Sequence, residues 1–305
     1  MADLGPEGTS ERRHAVDLLA LGRAVASGGS LGEELLERAS LVVQAMAVKA
    51  RAAGAERLGL VATEALRQAL DAPLLQERVA QLTGERLNIL SGEMEARLSY
   101  LGATAFRVRS QQPCLVADVG GGSCEVVTGR GTQAGKGRSL KLGSDRLLLA
   151  ISADDPPNAR QLAEARARVS MVLERAPEPL GAGPLIATGG TAANLPVLLG
   201  RRLPHSEASP GLLEEPSGPA WTRVERAQLE RAAWLCARHP SADLARRTGL
   251  SPARARLMAG GVMILEGLLE RYRAPSLEVT ERGLRDGVVL ALAGVPANVT
   301  AQEPA

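Results

Sequence analysis

Asp118-Val119-Gly120-Gly121-Gly122-Ser123 sets a carboxylate, three glycines and a hydroxyl in a row between two short apolar runs. Successive glycines let a backbone take positive φ and turn several N–H groups toward one point, which is how a loop cradles phosphate. Ser123 adds a hydroxyl, and Asp118, leaving the end of an apolar run, can hold a hard cation such as Mg2+ directly or through water. A plain glycine hairpin between strands competes for the same residues. A second glycine turn, Thr188-Gly189-Gly190-Thr191, follows the apolar run Leu185 to Ala187 and opens a helix with Ala192, Ala193 and Asn194. Strand, turn and helix N-terminus together make an anion site. Thr191 capping a tight strand-to-helix connection explains the residues equally well.

Two carboxylates stand in the first turn of a helix in Ser91-Gly92-Glu93-Met94-Glu95-Ala96-Arg97. Acidic residues there are often only partners of the helix dipole, worth roughly 0.3–1 kcal/mol. Met94, not a glutamate, occupies the third position after Ser91, so a capping box does not account for Glu95. A Glu95 that faced a phosphate would orient or deprotonate an attacking water. Arg67, in Thr63-Glu64-Ala65-Leu66-Arg67, could meet a phosphate bidentately or lie on the surface. Glu125 follows the glycine loop and, by strand alternation, shares a face with Ser123, which makes it a second candidate carboxylate. Two glycine turns and these side chains describe a phosphate cleft.

Positioning them requires an α/β frame. Residues 32–53 place Leu35, Ala39, Val42, Val43 and Met46 on one helical face. A short strand at 57–61, a helix from Thr63, a helix at 73–83, a strand at 87–90 and a helix at 93–103 follow. The polar, proline-ended stretch 107–113 breaks the rhythm and marks a boundary. Beyond it the pattern predicts strands at 115–119, 124–128 and 137–142, helices from Ser144 and Pro157, a strand at 185–188 and a helix from Thr191. A loop rich in Pro, Gly and Ser at 200–219 precedes helices at 222–236, 242–247 and 251–273, a strand at 278–279 and a helix at 284–293. Ser251-Pro252 is a strong helix start, serine as N-cap and proline at the first helical position.

Composition removes several function classes. The 305 residues, at roughly 150 per domain, suggest two domains or one large one. At 45% hydrophobic and 23% charged the chain builds a core and is neither disordered nor fibrous. Its net charge of +2 requires no nucleic acid and no anionic membrane as partner. With only Trp221, Trp234, Tyr100, Tyr272 and Phe106 as aromatics, base-stacking platforms are excluded. Cys114, Cys124 and Cys236 have no CxxC spacing, and His14, His205 and His239 have no ligand neighbours, so disulfides and zinc are not indicated. No apolar run reaches the roughly 20 residues that span a bilayer, and residues 1–14 lack the apolar stretch of a signal peptide, so the cytoplasm is the expected location.

The segments VATEALRQA (61–69), ILSGEMEARLSYLGA (89–103), VADVGGGSCEVV (116–127), LKLGSDRL (140–147), ATGGTAANL (187–195) and ERGLRDGVV (281–289) occur in an order that is specific as a set. Together they resemble the exopolyphosphatase and guanosine pentaphosphate phosphohydrolase family of the actin, sugar kinase and Hsp70 ATPase (ribonuclease H-like) fold. The resemblance implies a short two-lobed α/β form, residues 1–110 making the N-terminal lobe and 111–305 the C-terminal lobe. It implies a Mg2+-dependent hydrolase that releases terminal phosphate from inorganic polyphosphate or guanosine pentaphosphate, with no nucleic acid or membrane partner and a homodimeric assembly. By that match Glu95 is the catalytic glutamate and Glu125 lines the cleft. Gly120, Gly121, Gly122 and Ser123 form the phosphate loop, Asp118 places the metal, and Arg67, Gly189, Gly190 and Thr191 contact phosphate.

One departure stands out. Family members begin with a strand and a first phosphate loop of the kind Asp-x-Gly-Ser/Thr-Asn-Ser, and MADLGPEGTSERR instead aligns with the end of the second strand and its turn. On that reading the first strand and loop are absent, through a misassigned start or true loss, and an unprotected sheet edge is expected. The alternative function is then a binding-only relative that senses a phosphorylated ligand.

Overall fold

The computed structural model describes residues 2–5, 8–11, 17, 19–107, 112–200 and 221–294. The chain opens with an antiparallel hairpin of β1 (Ala2–Gly5) and β2 (Gly8–Glu11), so this segment holds a second strand beyond the strand end and turn expected of it. Helices α1 (Leu21–Gly28) and α2 (Glu33–Ala52) follow, then β3 (Leu60–Ala62), α3 (Glu64–Gln68), α4 (Ala72–Thr83), β4 (Leu87–Ile89) and α5 (Gly92–Thr104). Among the described residues β3 and β4 pair in parallel only with each other.

Helix α2 lies where periodicity predicts it, but its buried stripe is Leu36, Ala39, Ser40 and Ala47, and Met46 is exposed. Apolar residues crowd neighbouring positions on this helix. The facing elements decide which stripe is used, through a core in which Leu36 and Ala39 meet Leu75 and Val79 of α4.

The larger sheet is built from β5 (Pro113–Val119), β6 (Cys124–Arg130), β7 (Gln133–Leu140), β8 (Leu185–Thr188), β9 (Thr222–Glu225) and β10 (Ser276–Val279), in the order β7-β6-β5-β8-β10-β9. β5, β8 and β10 run parallel; β6 pairs antiparallel with both β5 and β7, and β9 pairs antiparallel with β10. Alternation divides its side chains. Leu115, Ala117, Val119 and Val126 enter a core with α6 (Ser144–Ala150), α7 (Ala159–Leu173), α8 (Gly189–Leu198), α9 (Arg226–Arg238), α10 (Ser241–Thr248) and α11 (Pro252–Arg271). Val116, Val127 and Ile186 face the other way, onto Ala96, Tyr100 and Ala103 of α5. Helix α12 (Leu284–Leu292) lies alongside α5.

Helix α11 is the centre of the larger core. Ser251 caps it by accepting the Arg254 N–H at 3.3 Å, Pro252 starts it, and Met258, Val262, Ile264, Leu265 and Leu268 are fully enclosed. Each such side chain contributes about 1.5–3 kcal/mol by leaving water.

The strands expected at 57–61 and 137–142 lie at Leu60–Ala62 and Gln133–Leu140, and two helix starts shift. The predicted helix at 222 begins only at Arg226, because Thr222 to Glu225 pair with β10 and bury Val224, a period-two pattern within a helix-like composition. The helix expected from Thr191 starts at Gly189. The predicted loop at 200–219 lies almost wholly outside the described residues. No helix among the described residues is long and apolar enough to cross a membrane.

Candidate active site

Strand register builds the floor of the site. Asp118 on β5 stands opposite Glu125 on β6, Glu125 opposite Ser139 on β7, and Asp118 opposite Thr188 on β8. One row of polar residues therefore crosses four strands, on the sheet face covered by α5. The N-terminal half of α5 is the roof. Ser91 caps that helix, accepting the Met94 N–H at 3.1 Å, and Glu95 and Ser99 point down one turn apart.

The contacts follow from that stacking. Ser99 donates to Asp118 Oδ2 at 2.6 Å, and Ser139 donates to Glu125 Oε1 at 2.6 Å. Arg67, from α3, donates to Glu95 Oε2 at 2.6 Å and to the Leu90 carbonyl at 2.8 Å. Glu95 is 5% and Glu125 2% exposed, so both carboxylates sit where ionisation is costly. Burial raises the Glu95 carboxyl above the usual carboxylate range; the Arg67 hydrogen bond and charge oppose the rise, and Asp118 and Glu64 add to it. Burial pushes Glu125 up to about 8, helped by Glu95 and Asp118 and opposed by the Ser139 and Ser123 hydroxyls. Burial also raises Asp118, against the Ser99 hydrogen bond.

The glycine loop differs from the nest expected of it. Gly120, Gly121 and Gly122 all keep negative φ, because a tight β5–β6 turn closed by Gly120 N–H to Ser123 O, 3.0 Å, needs no left-handed residue. Its carbonyls point to α6: Gly120 O accepts Ser144 N–H at 2.9 Å, and Gly121 O accepts the N–H groups of Asp145 and Arg146 at 3.0 Å. The N–H groups of Gly121 and Gly122 find no acceptor among the described residues. Gly122 also lies against a carboxylate. A Cβ there would overlap the Glu64 carboxylate, which reaches across from α3.

At the second turn Gly189 does need its freedom, with φ of +89° and Asp118 and Val119 against its Cα. Thr188, not Thr191, occupies the N-cap position of α8, and its hydroxyl donates to Arg282 O at 2.7 Å instead of capping. Thr191 is buried with its side chain against Gly261 of α11. The first N–H groups of α8 are thus uncapped and adjoin Asp118.

Glu95, Glu125, Asp118, Arg67 and the two glycine turns therefore meet in one place, while the Thr191 side chain is turned away. Glu64, Arg146, Arg254, Ser99 and Ser139 join them without having been singled out from the sequence. Arg146 donates from Nε to Gly122 O at 2.7 Å and pairs with Glu64. Arg254 lies over Gly190, where a Cβ would be 2.8 Å from its guanidinium carbon. It makes no ion pair among the described residues, and burial lowers its pKa. The signal for Glu64, Arg146 and Ser99 lay inside the segments 61–69, 140–147 and 89–103; their roles required knowing what faces them.

This arrangement can hold an anion on backbone N–H groups and arginines and set a buried carboxylate beside it. The sequence matches the Ppx/GppA phosphatase family over residues 13–294. The chain belongs to that family. With the assignment comes the enzyme class, a hydrolase acting on phosphoanhydride bonds, and the actin-like α/β fold read from the motifs. Exopolyphosphatase 1 of Mycobacterium tuberculosis is 29% identical over 277 residues, covering 89% of this chain and 77% of the relative. The guanosine-5'-triphosphate,3'-diphosphate pyrophosphatase of Photobacterium profundum is 26% identical over 272 residues, covering 86% of this chain and 50% of the relative. Among solved structures, the PPX-GPPA enzyme of Aquifex aeolicus superposes with a TM-score of 0.77 at 25% identity, covering 95% of this chain and 93% of that one.

Proposed function

We propose that the chain releases terminal phosphate from inorganic polyphosphate or guanosine pentaphosphate, with Glu95 as the carboxylate that activates water. The observation that carries this reading is Glu95 itself: buried, held by Arg67, and set above the Asp118–Glu125 pair beside both glycine turns. The exopolyphosphatase and pyrophosphatase relatives support the substrate class.

In this mechanism Arg67 fixes the Glu95 carboxylate toward a water lined up with the terminal phosphorus. The water oxygen bonds to phosphorus, its proton passes to Glu95, and the bridging P–O bond breaks with its electron pair kept by the departing chain. The N–H groups of Gly121 and Gly122 and the uncapped start of α8 hold the phosphoryl oxygens, and Arg254 adds charge at Gly190. Glu125, steadied by Ser139, keeps the floor of the site polar beside the reacting group.

The donor set fits Mg2+. Asp118 uses one oxygen on Ser99, its other oxygen faces the Gly189 turn, and no cage of three or more His, Cys, Asp or Glu side chains exists among the described residues. Mg2+ favours such a site, taking one or two carboxylates and completing its shell with water and substrate phosphate. When bound it would neutralise charge on the terminal phosphate.

The test is phosphate release from long-chain polyphosphate and from guanosine pentaphosphate, with Mg2+, for the wild type and Glu95→Gln. A fall of about a hundredfold or more in the variant, with folding intact, is expected of a lost general base. An unchanged rate removes Glu95 from the role, and tight ligand binding without any release supports the sensing alternative.

A further inference from the structure

Glu64 is a buried carboxylate that the mechanism above leaves unused. It stands at the start of α3, a helix of five residues, and is 7% exposed. Its Oε1 takes hydrogen bonds from Arg146 and Gln68, and its Oε2 lies over the Cα of Gly122 in the phosphate loop. Arg146 is divided between two acceptors, Gly122 O through Nε and Glu64 through Nη2. The neighbouring Asp145 is held by Arg23 of α1 at 2.7–3.1 Å, so the first turn of α6 is tied to both α1 and α3.

A carboxylate and a terminal phosphoryl group offer a guanidinium the same thing, negative oxygens in a plane or fork. The loop N–H groups of Gly121 and Gly122 are free among the described residues, and the anion that sits on the loop is Glu64. We propose that Glu64 is a resident anion: it lies over the phosphate loop in the free protein and must give up Arg146 to the oxygens of the incoming phosphoanhydride chain.

The charge balance of the pocket supports this. Glu64, Glu95, Asp118 and Glu125 interact electrostatically, while Arg67 and Arg146 are the arginines paired within the group. A polyanion entering such a pocket meets Glu64 directly on its binding surface, and like charges brought together repel unless one of them moves. Arg146 keeps 32% of its side chain exposed, enough freedom to change partner on a long stem. Replacing Glu64 with glutamine keeps the size and an acceptor for Arg146 but removes the competing charge.

The proposal rests on the phosphohydrolase reading, and the experiment separates the two. Binding of inorganic tripolyphosphate with Mg2+ is measured by calorimetry in a Glu95→Gln background, where turnover is suppressed. Adding Glu64→Gln is expected to tighten binding about tenfold, a gain that shrinks as ionic strength rises. Arg146→Gln is expected to weaken it about tenfold, and Glu64→Gln added to Arg146→Gln to recover little, because the two groups act on one another. In the otherwise wild-type chain Glu64→Gln should lower KM for polyphosphate, because the charge it removes opposes substrate binding. A purely structural brace predicts the reverse, a lower Tm with tripolyphosphate binding unchanged or weaker, and that result overturns the proposal. If Glu95→Gln fails to suppress release, the catalytic assignment falls, and the KM comparison for polyphosphate then decides the role of Glu64.

Discussion

Substituting Gly102 by alanine tests whether the α5–α12 contact sets the position of Glu95. A Cβ on residue 102 would lie 2.8 Å from both the Gly283 carbonyl carbon and the Gly287 nitrogen, and closer still to the Gly283 oxygen. All three atoms are backbone, so no side-chain rotation relieves the overlap, and the helices must part by about an ångström to restore ordinary contact. Overpacking of this kind costs about 1–3 kcal/mol. At roughly 1.6 °C per kcal/mol for a chain of this size, Tm should fall by between about 1.5 and 5 °C.

Glu95 precedes Gly102 by two helical turns, about 10 Å along one rod. A displacement of about an ångström at a reacting group costs on the order of a hundredfold in rate. Thermal melting and phosphate release are the two assays. Gly28→Ala, where a Cβ meets nothing within 4 Å, is the control and should be neutral. A Gly102→Ala protein with wild-type Tm and rate would refute the packing argument. Lost stability with the rate intact would refute the link from α12 to Glu95.

Two further predictions follow from ionisable groups. Arg67→Met removes the partner that opposes the effect of burial on Glu95, so the base stays protonated to higher pH; activity near neutrality should fall about a hundredfold and partly recover as pH rises, with the acid limb of the pH–rate profile moved upward. An unmoved limb would show that Arg67 does not control Glu95. Glu266, on α11, has its pKa raised by burial, with Arg166 opposing and Glu270 and Glu230 adding, and its Oε2 has no hydrogen bond. A folded-state pKa above the unfolded one means that the protonated form fits the fold better. Its contribution is intact below the unfolded carboxylate value and is lost as pH rises through the folded value. Glu266→Gln should therefore raise Tm at neutral pH and lose that advantage in acid, which melting at several pH values checks.

Much of the site was legible because local chemistry fixed it. Gly189 must take φ of +89°, Ser91 and Ser251 cap helices with their own hydroxyls, and the apolar runs ending at Asp118 and Thr188 can only be buried strands. These residues announce a strand, a turn and a helix start from sequence, and their order along the chain is enough to mark the family. The partners of each carboxylate are another matter. Asp118 meets Glu125, and Glu125 meets Ser139, through strand register; Glu95 meets Arg67 because α5 and α3 converge; Glu64 reaches Gly122 from 58 positions away in the chain. Register, helix rotation and the approach of distant elements are settled by the packing of the whole core, since each depends on groups the local sequence does not contain. For the same reason the buried stripe of α2, the strand at Thr222 and the negative φ of the Gly120–Gly122 loop came from the fold. The sequence determined which residues could do chemistry; tertiary structure decided which of them face one another, and at what cost in charge.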